Sequence, residues 1–306
     1  LGGFPWNLIS FSLVEINQFI QILSYLGTYS FNLIVLTIFL VPVVILFDES
    51  SRAKLLTVLF VVTLIISNLI FGNLILNKHN NTPNKPMKFI VKIISPKIDL
   101  KRFFDGTDPS LVIKDLAEIG NIDSRDALYI YPEGILPSIN LNEIQDYSSV
   151  FENYFQNNHK IIVGITRYKE TEIFNSMALL DNDLKLISVY DKNKLVPFGE
   201  YLPFENFLKN YGFKKITQGY QSFSSASERD LIKMNDTKFL PLICYEIIYS
   251  GDLLKNSENF DFIVNISEDG WFGESIGIDQ HFFHSVFRSI EEGKNIIRSA
   301  NNGISA

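Results

Sequence analysis

The sequence predicts an α/β domain preceded by transmembrane helices. Two long stretches near the beginning of the chain carry no charge, a polar linker follows them, and strand-like and helix-like segments alternate in the remainder. The mean hydropathy of +0.12 is high for a water-soluble protein, which favours a membrane-associated chain.

Two charge-free stretches are long enough to cross a bilayer. Leu55–Leu76 is one of them, and about twenty such residues suffice for a membrane helix. Phe31–Phe47 is the other and extends backwards to about residue 27, with Pro42 as a tolerated kink. A short polar linker joins them, which predicts a helical hairpin with spans at about 27–47 and 55–76. The alternative is a pair of buried core helices.

The composition changes after the polar, proline-containing linker Asn77–Pro86. We therefore predict a membrane region over residues 1–86 and a globular domain over residues 87–306. Alternating strands and helices indicate an α/β domain. The predicted strands lie at 88–95, 127–134, 160–167, 175–180, 184–192, 239–246, 261–268 and 295–303, and the predicted helices at 110–120, 151–158 and 280–293.

Charge and cysteine content exclude several classes of function. The net charge is −7 and no Lys/Arg-rich stripe is present, so no nucleic-acid partner is expected. A single cysteine, Cys244, excludes an intrachain disulfide framework and a multi-cysteine zinc site. His281 and His284 lie three residues apart on a predicted helix, but a third metal ligand is not obvious. We expect neither a metal nor a cofactor.

Three reactive side chains follow predicted strands, where the active sites of open α/β sheets lie. They are Glu133 in "YPEG", Lys192 in "VYDKNK" and Cys244 in "LICYE". Glu133 could deprotonate the Cys244 thiol, and a charged Lys192 could stabilise the thiolate and a developing oxyanion. Each also has a plain structural interpretation, as a solvated glutamate, a surface lysine or a buried thiol. A cysteine–histidine pair is a further alternative, and the residues alone leave these possibilities open.

Several segments in this order resemble the apolipoprotein N-acyltransferase branch of the nitrilase superfamily. The matching segments are "GFPWN", "YPEGILP", "YDKNKLVPFGEYLPF", "ICYEIIYSGD", "NISEDGWFGESIGIDQH" and "RSANNGISA". The resemblance implies a nitrilase-like α-β-β-α sandwich and a Glu–Lys–Cys catalytic set. It also implies transfer of an acyl chain from a phospholipid, through a cysteine thioester, to the N-terminal amine of the diacylglyceryl-cysteine of an apolipoprotein.

The resemblance assigns roles to individual residues. Glu133 corresponds to the general base and Cys244 to the nucleophile. A Tyr-x-Lys-x-x-Leu pattern selects Lys192 rather than Lys194. The residues that correspond to substrate-binding or supporting positions are Glu200, Tyr245, Glu246, Trp271 and Phe104, the last in place of an arm residue that is often tryptophan.

The resemblance further implies a multi-pass protein of the bacterial inner membrane, with the catalytic domain on the periplasmic side and a monomeric state. Family members carry membrane helices before "GFPWN" and after the catalytic domain, so we expect this chain to be a fragment whose domain is truncated at its C-terminal end. The alternative function is a membrane-tethered nitrilase-like amidase or hydrolase that uses the same triad with water as acceptor. A non-catalytic membrane scaffold is a third interpretation, which the three reactive residues disfavour.

Overall fold

The computed structural model describes residues 5–47, 50–81, 87–103, 108–120, 125–136, 139–204, 222–251, 253–254 and 259–306. The chain folds into two compact units. The first comprises residues 1–86, 248–252 and 280–294, and the second comprises residues 87–247, 253–279 and 295–306. The domain boundaries proposed above, 1–86 and 87–306, stay a prediction.

Two long apolar helices dominate the first unit. Gly27 interrupts the first of them with φ 73° and ψ 171°, a conformation that is essentially restricted to glycine. The helix continues through Pro42, and the Ser50 side chain caps the next helix by accepting from the Ala53 N–H. The elements are a 3-10 helix Ile9–Leu13, α1 Asn17–Ile20, α2 Leu23–Phe47 and α3 Ser51–Asn80.

Both α2 and α3 are long and apolar enough to cross a membrane, judged by length and composition. Few of the residues in their most apolar stretches are buried. An exposed apolar surface that runs along two such long helices is typical of contact with lipid or with another apolar partner. The helices cover the predicted spans 27–47 and 55–76 and are consistent with membrane helices.

A carboxylate caps the part of α2 that begins after the Gly27 kink. The Thr28 hydroxyl donates to Oε1 of Glu291 at 2.6 Å, and the Thr28 N–H donates to the same oxygen. Ser250 also donates to this carboxylate at 2.9 Å, and Arg288 pairs with it. A negative charge at a helix N-terminus is favourable because the first N–H groups lack partners within the helix. The kink therefore creates a helix N-terminus, and the Glu291 carboxylate accepts a hydrogen bond from its Thr28 N–H group.

The first sheet of the second unit has the strand order β1-β2-β3-β4-β5. β1, β2 and β3 pair in parallel, whereas β3, β4 and β5 pair antiparallel. Ile113 and Leu116 of an adjoining helix are buried in the same apolar core as the sheet residues. The strands are β1 Ile90–Ile93, β2 Ala127–Ile130, β3 His159–Lys169, β4 Glu172–Asp181 and β5 Leu186–Asp191, and the helices are α4 Pro109–Ile119 and α5 Ser148–Glu152.

The second sheet has the order β6-β7-β8-β9, with β6 antiparallel to β7 and the other pairs parallel. β7, β8 and β9 are nearly continuous buried runs, as expected for parallel strands covered on both faces. These elements are β6 Ile232–Met234, β7 Thr237–Ile243, β8 Phe262–Glu268, α6 Gly277–Glu292 and β9 Ile296–Asn301. The predicted α/β class is confirmed, and both sheets combine parallel and antiparallel pairs.

The structure differs from the sequence predictions in local detail. The helix predicted at 151–158 lies at Ser148–Glu152 instead. Asparagines occupy positions 153, 157 and 158, and their side chains compete with the helix for backbone hydrogen bonds. Strand β6 was not predicted, because three residues are too few to show an alternation.

Candidate active site

Glu133, Lys192 and Cys244 come together beyond the carboxyl ends of three strands. Glu133 follows β2, Lys192 follows β5 and Cys244 follows β7. Nζ of Lys192 lies 3.5 Å from Oε1 of Glu133, and both charged groups act electrostatically on the Cys244 thiol. All three residues are buried. The three strand-end residues selected from the sequence therefore form one cluster.

Two carboxylates hold the Lys192 ammonium. Its Nζ donates to Oε1 of Glu200 at 2.9 Å and approaches Oε1 of Glu133. The Asn175 amide bridges the same two oxygens, at 2.7 Å from Glu133 and 2.8 Å from Glu200. The other Glu133 oxygen accepts from the Glu268 N–H at 3.0 Å. The position of Glu133 is thus determined by contacts from three different strands or strand ends.

Lys192 remains charged in this environment. Burial of the ammonium favours its neutral form, but the Glu200 and Glu133 carboxylates outweigh burial and hold the pKa of Lys192 well above its usual value. A compact positive charge therefore stays beside the thiol throughout the neutral pH range.

The backbone at Cys244 has a conformation that is uncommon for a residue with a side chain. Its φ is 50°, in the left-handed region, where the chain turns from β7 into the 3-10 helix Cys244–Ile248. Such a conformation persists where surrounding contacts hold it, and it is concentrated at functional sites. Here the Glu246 carboxylate closes the turn by accepting from the Ile243 N–H at 2.9 Å.

The Cys244 thiol is neutral near pH 7. Burial raises the pKa of the thiol, and the Glu133 and Asp269 carboxylates raise it further, while Lys192 and a hydrogen bond with Ser267 oppose them. Since the thiolate is the nucleophilic form, such a cysteine needs a base that removes its proton as it attacks. Glu133, whose carboxylate acts electrostatically on the thiol, is the candidate for that base.

Glu246 connects the turn at Cys244 to the loop that follows Lys192. Its Oε1 accepts from the Asn193 and Lys194 N–H groups, each at 3.0 Å, and from the Tyr190 hydroxyl at 2.6 Å. The Arg229 guanidinium pairs with the same oxygen at 3.0 Å. Because Glu246 is fully buried, this pairing is the compensation that a buried carboxylate requires. The two residues after Lys192 and the turn of Cys244 are therefore held by one carboxylate.

Of the other supporting residues, Tyr245 and Trp271 lie in the described part of the chain and Phe104 does not. Tyr245 is buried in the turn at Cys244. Trp271 is exposed, and its ring lies 5.6 Å from the Phe103 ring. Phe104 falls outside the described residues, so its substrate-binding role stays a prediction.

Sequence reasoning missed three polar residues of the site. Asn175 begins the apolar run of β4, Ser267 lies in β8 and Arg229 precedes β6. Ser267 opposes the rise in the pKa of the Cys244 thiol, and Arg229 pairs with Glu246. A polar residue within an apolar strand was the available signal for Asn175 and Ser267, whereas Arg229 lies in a polar loop and gave no local signal.

His281 and His284 are fully buried on α6. The Trp6 ring lies 5.4 Å from the His281 ring, and the Phe11 ring meets the His284 ring edge-on at 4.8 Å. Within the described ranges, no group of three or more His, Cys, Asp or Glu side chains is arranged to hold a metal ion. The two histidines are part of an aromatic cluster of the first unit.

Comparison with known proteins assigns the fold family. Residues 150–306 match the carbon-nitrogen hydrolase family. A protein of Bradyrhizobium diazoefficiens named apolipoprotein N-acyltransferase is 31% identical over 324 residues, which cover 100% of this chain and 60% of that protein. One of Rhizobium meliloti with the same name is 28% identical over 317 residues, which cover 99% of this chain and 59% of that protein.

The chain thus spans about 60% of the length of the curated relatives it matches. Among solved structures, a mutant of the Nesterenkonia AN1 amidase from the nitrilase superfamily aligns with a TM-score of 0.44 and 10% identity, over 70% of this chain and 74% of that one. A structural similarity at this level adds no argument about function. The family match covers more than half of the chain and includes Lys192 and Cys244, and the chain belongs to the carbon-nitrogen hydrolase family.

Proposed function

We propose that this chain carries the catalytic centre of an acyltransferase. Cys244 would accept an acyl chain from a phospholipid and pass it to the N-terminal amine of the diacylglyceryl-cysteine of an apolipoprotein. The observation that carries the proposal is the buried cluster of Glu133, Lys192 and Cys244 beyond three strand ends. The names of the relatives support the choice of substrates, and the apolar helices α2 and α3 support a donor that lies in a membrane.

In the first half-reaction, Glu133 takes the thiol proton while the Cys244 sulfur attacks the ester carbonyl of the phospholipid. The Lys192 ammonium stabilises the negative oxygen of the tetrahedral intermediate, and we assign the Tyr245 N–H as a second donor. The intermediate collapses when Glu133 returns the proton to the departing glycerol oxygen. A lysophospholipid leaves, and the acyl group remains on Cys244 as a thioester.

In the second half-reaction, the acceptor amine attacks the thioester carbonyl. Glu133 takes a proton from the amine and delivers it to the departing Cys244 sulfur, so an amide forms and the thiol is restored. The buried position of the thiol favours this outcome over hydrolysis, because water has little access to the thioester. This chemistry needs neither a metal nor a redox cofactor.

The proposal includes a location and a set of partners. We place the protein in the bacterial inner membrane as a multi-pass protein, with residues 87–306 on the periplasmic side. It would act as a monomer on a phospholipid donor and an apolipoprotein acceptor, without nucleic acid. The names of the relatives support the two partners, and the two apolar helices support a location in a membrane.

The test is a labelling experiment with the protein purified in detergent. Phospholipid carrying a labelled acyl chain should transfer the label to the protein in a form that hydroxylamine releases, since hydroxylamine cleaves thioesters. Cys244→Ala should take up no label, and Ser250→Ala, outside the cluster, should label normally. Addition of a diacylglyceryl peptide should then move the label to the amine of the peptide.

Each outcome of this experiment has a definite meaning. An unlabelled wild-type protein contradicts the thioester mechanism, and label that persists in Cys244→Ala identifies a different nucleophile. Release of free fatty acid as the sole product, with the peptide present, would support the hydrolase alternative instead.

Gly164 provides a test of the position of Glu133. A Cβ on Gly164 of β3 would lie 2.5 Å from the Cα of Glu133 and 2.9 Å from the Pro132 carbonyl oxygen. Gly164→Ala should therefore displace Glu133 and slow labelling of Cys244 by about 100-fold, the effect expected when a catalytic group moves by about 1 Å. Gly293→Ala is the control for backbone strain. The φ of Gly293 is 60°, which a residue with a side chain rarely adopts, but no atom lies within 4 Å of the added Cβ. Equal labelling rates in wild type and Gly164→Ala would contradict this role of Glu133.

A further inference from the structure

Glu133 belongs to a closed ring of contacts that passes through Arg102. Oε2 of Glu133 accepts from the Glu268 N–H at 3.0 Å, and the Glu268 carboxylate pairs with the Arg102 guanidinium. Nε of Arg102 then donates at 3.3 Å to the carbonyl of Gly134, the residue that follows Glu133 in the chain. The Arg102 side chain therefore makes two of the three non-covalent contacts that close the ring.

The Arg102 side chain has a fixed orientation in the interior of the protein. The residue is buried, and its Nη1 donates to the Ile98 and Asp99 carbonyls, each at 3.2 Å. A guanidinium presents its N–H donors in a rigid planar fork, so contacts from Nε, Nη1 and Nη2 together determine where its plane lies. The Glu268 carboxylate supplies the opposite charge that a buried guanidinium requires.

Glu268 contacts the other members of the ring through two different groups. Glu268 is the last residue of β8 and is almost completely buried. Its N–H binds Glu133, whereas its carboxylate accepts from Arg102, from the Asn301 side chain at 2.7 Å and from the Gly270 N–H at 2.9 Å. The carboxylate is therefore held from several sides, and it gives Arg102 a fixed partner at the end of β8.

The segment that contains Arg102 also packs against the turn after Glu133. Arg102 and Phe103 belong to a 3-10 helix, Leu100–Phe103. A Cβ on Gly134 would lie 2.9 Å from Cζ of Phe103, and the φ of Gly134 is 56°, in the region that favours glycine. The Phe103 ring and the Arg102 guanidinium thus both contact the residue that follows the base.

We propose that Arg102 is a positioning residue for Glu133, which it fixes between Gly134 and the end of β8. A general base must stay within hydrogen-bond reach of the proton that it removes, and small displacements slow the reaction strongly. Without the guanidinium, the Gly134 carbonyl and the Glu268 carboxylate lose their common donor, and the turn after β2 is free to move away from β8. The catalytic meaning of this inference rests on the proposed function, in which Glu133 takes the proton of Cys244.

The alternative is that Arg102 and Glu268 form an ion pair with no effect on Glu133. Breaking a buried ion pair by removing one partner destabilises a protein in either case, so a lower thermal midpoint does not separate the two interpretations. The separating measurement is the contact between the Glu268 N–H and Glu133, which loosens only if Arg102 positions the base.

Amide hydrogen exchange of the purified protein in detergent measures that contact directly. The exchange rate of the Glu268 N–H is divided by that of the Ile263 N–H, which lies in the same strand and donates to the Asn295 carbonyl at 2.9 Å. In Arg102→Met this ratio should rise about tenfold, the effect of losing one hydrogen bond to a charged group. The readout requires no acyl transfer.

Two further variants separate positioning from loss of stability. Phe262→Leu reduces a buried ring at the opposite end of β8, which stacks on Phe239. It should lower the thermal midpoint and leave the exchange ratio unchanged. Arg102→Met/Glu268→Gln removes both charges, which is often nearly neutral for stability, and so provides a folded protein if Arg102→Met alone does not fold. The ratio should rise in this double variant as well.

Alkylation of Cys244 by iodoacetamide, followed by mass spectrometry, tests whether Arg102 acts through Glu133. Arg102→Met should slow alkylation by about 10- to 100-fold, the effect of a small displacement of the base. Glu133→Gln should slow alkylation too. In a Glu133→Gln background, Arg102→Met should have no further effect, because two changes that act through one group are not additive.

Each outcome decides the inference. An unchanged exchange ratio in a folded Arg102→Met protein would overturn it, whatever the acyl transfer. Wild-type alkylation in Arg102→Met while Glu133→Gln is slow, or fully additive effects of the two changes, would overturn it as well. Normal alkylation in Glu133→Gln with a raised exchange ratio in Arg102→Met would support the positioning of Glu133 and contradict the proposed function.

Discussion

Replacing Lys192 with methionine should slow the formation of the Cys244 thioester by roughly 100- to 1,000-fold, the usual effect of removing one oxyanion donor. The physical reason is the charge balance around the sulfur. Without the ammonium, the Glu133 carboxylate acts on a buried thiol with no compensation from Lys192, and the Glu200 carboxylate loses its partner. Both the thiolate and the oxyanion then form in an unfavourable negative field. Single-turnover labelling with phospholipid measures the effect.

Two further lysine variants make this prediction specific. Lys192→Arg keeps the charge but replaces a compact ammonium with a planar guanidinium, so we expect it to impair labelling as well. Lys194→Met is the control, because the known contact of Lys194 with Glu246 is made by its backbone N–H. Normal labelling in Lys192→Met together with an inactive Lys194→Met would show that Lys194 is the catalytic lysine.

Replacing Glu246 with glutamine should destabilise the protein by about 3–5 kcal/mol, the usual effect of breaking a buried ion pair. The change leaves the Arg229 guanidinium without its charged partner in a buried site. It also places an amide where the Ile243, Asn193 and Lys194 N–H groups need an acceptor. For a domain of this size the thermal midpoint should fall by about 10 °C.

An exposed ion pair is the control for Glu246→Gln. Lys88 and Asp236 lie 3.0 Å apart with side chains that are 81% and 85% exposed. Exposed pairs of this kind contribute little because water screens them, so Asp236→Asn should leave the thermal midpoint unchanged. If Glu246→Gln unfolded at the wild-type temperature, the Glu246 carboxylate would not be what connects the turn at Cys244 to the loop that follows Lys192.

Glu246 shows how far local sequence could predict the site. Its position beside Cys244 is visible in the sequence, and the resemblance marked it as a supporting residue. Its function in the fold was not visible, because its partners Tyr190, Asn193 and Arg229 lie far from it along the chain. Such partners are decided by loop conformations and by the pairing of distant strands, which no local pattern specifies.

Asn175 and Ser267 illustrate the same limit in strands. Both were included in predicted strands, yet neither was selected as a site residue. The direction in which a strand residue points depends on register, and a shift by one residue reverses it. In the folded chain Asn175 bridges Glu133 and Glu200, and Ser267 opposes the rise in the pKa of the Cys244 thiol.

The sequence by itself determined the two charge-free stretches, the α/β class and the three strand-end residues Glu133, Lys192 and Cys244. These follow from local hydrophobic pattern and from the strands that precede the reactive residues, which are properties of consecutive residues. The tertiary structure decided what the residues alone left open, namely that Cys244 is a buried thiol on which the charges of a carboxylate and an ammonium act. Burial and charge act on the thiol through space, so the ionisation of Cys244 depends on residues that only the fold brings to it.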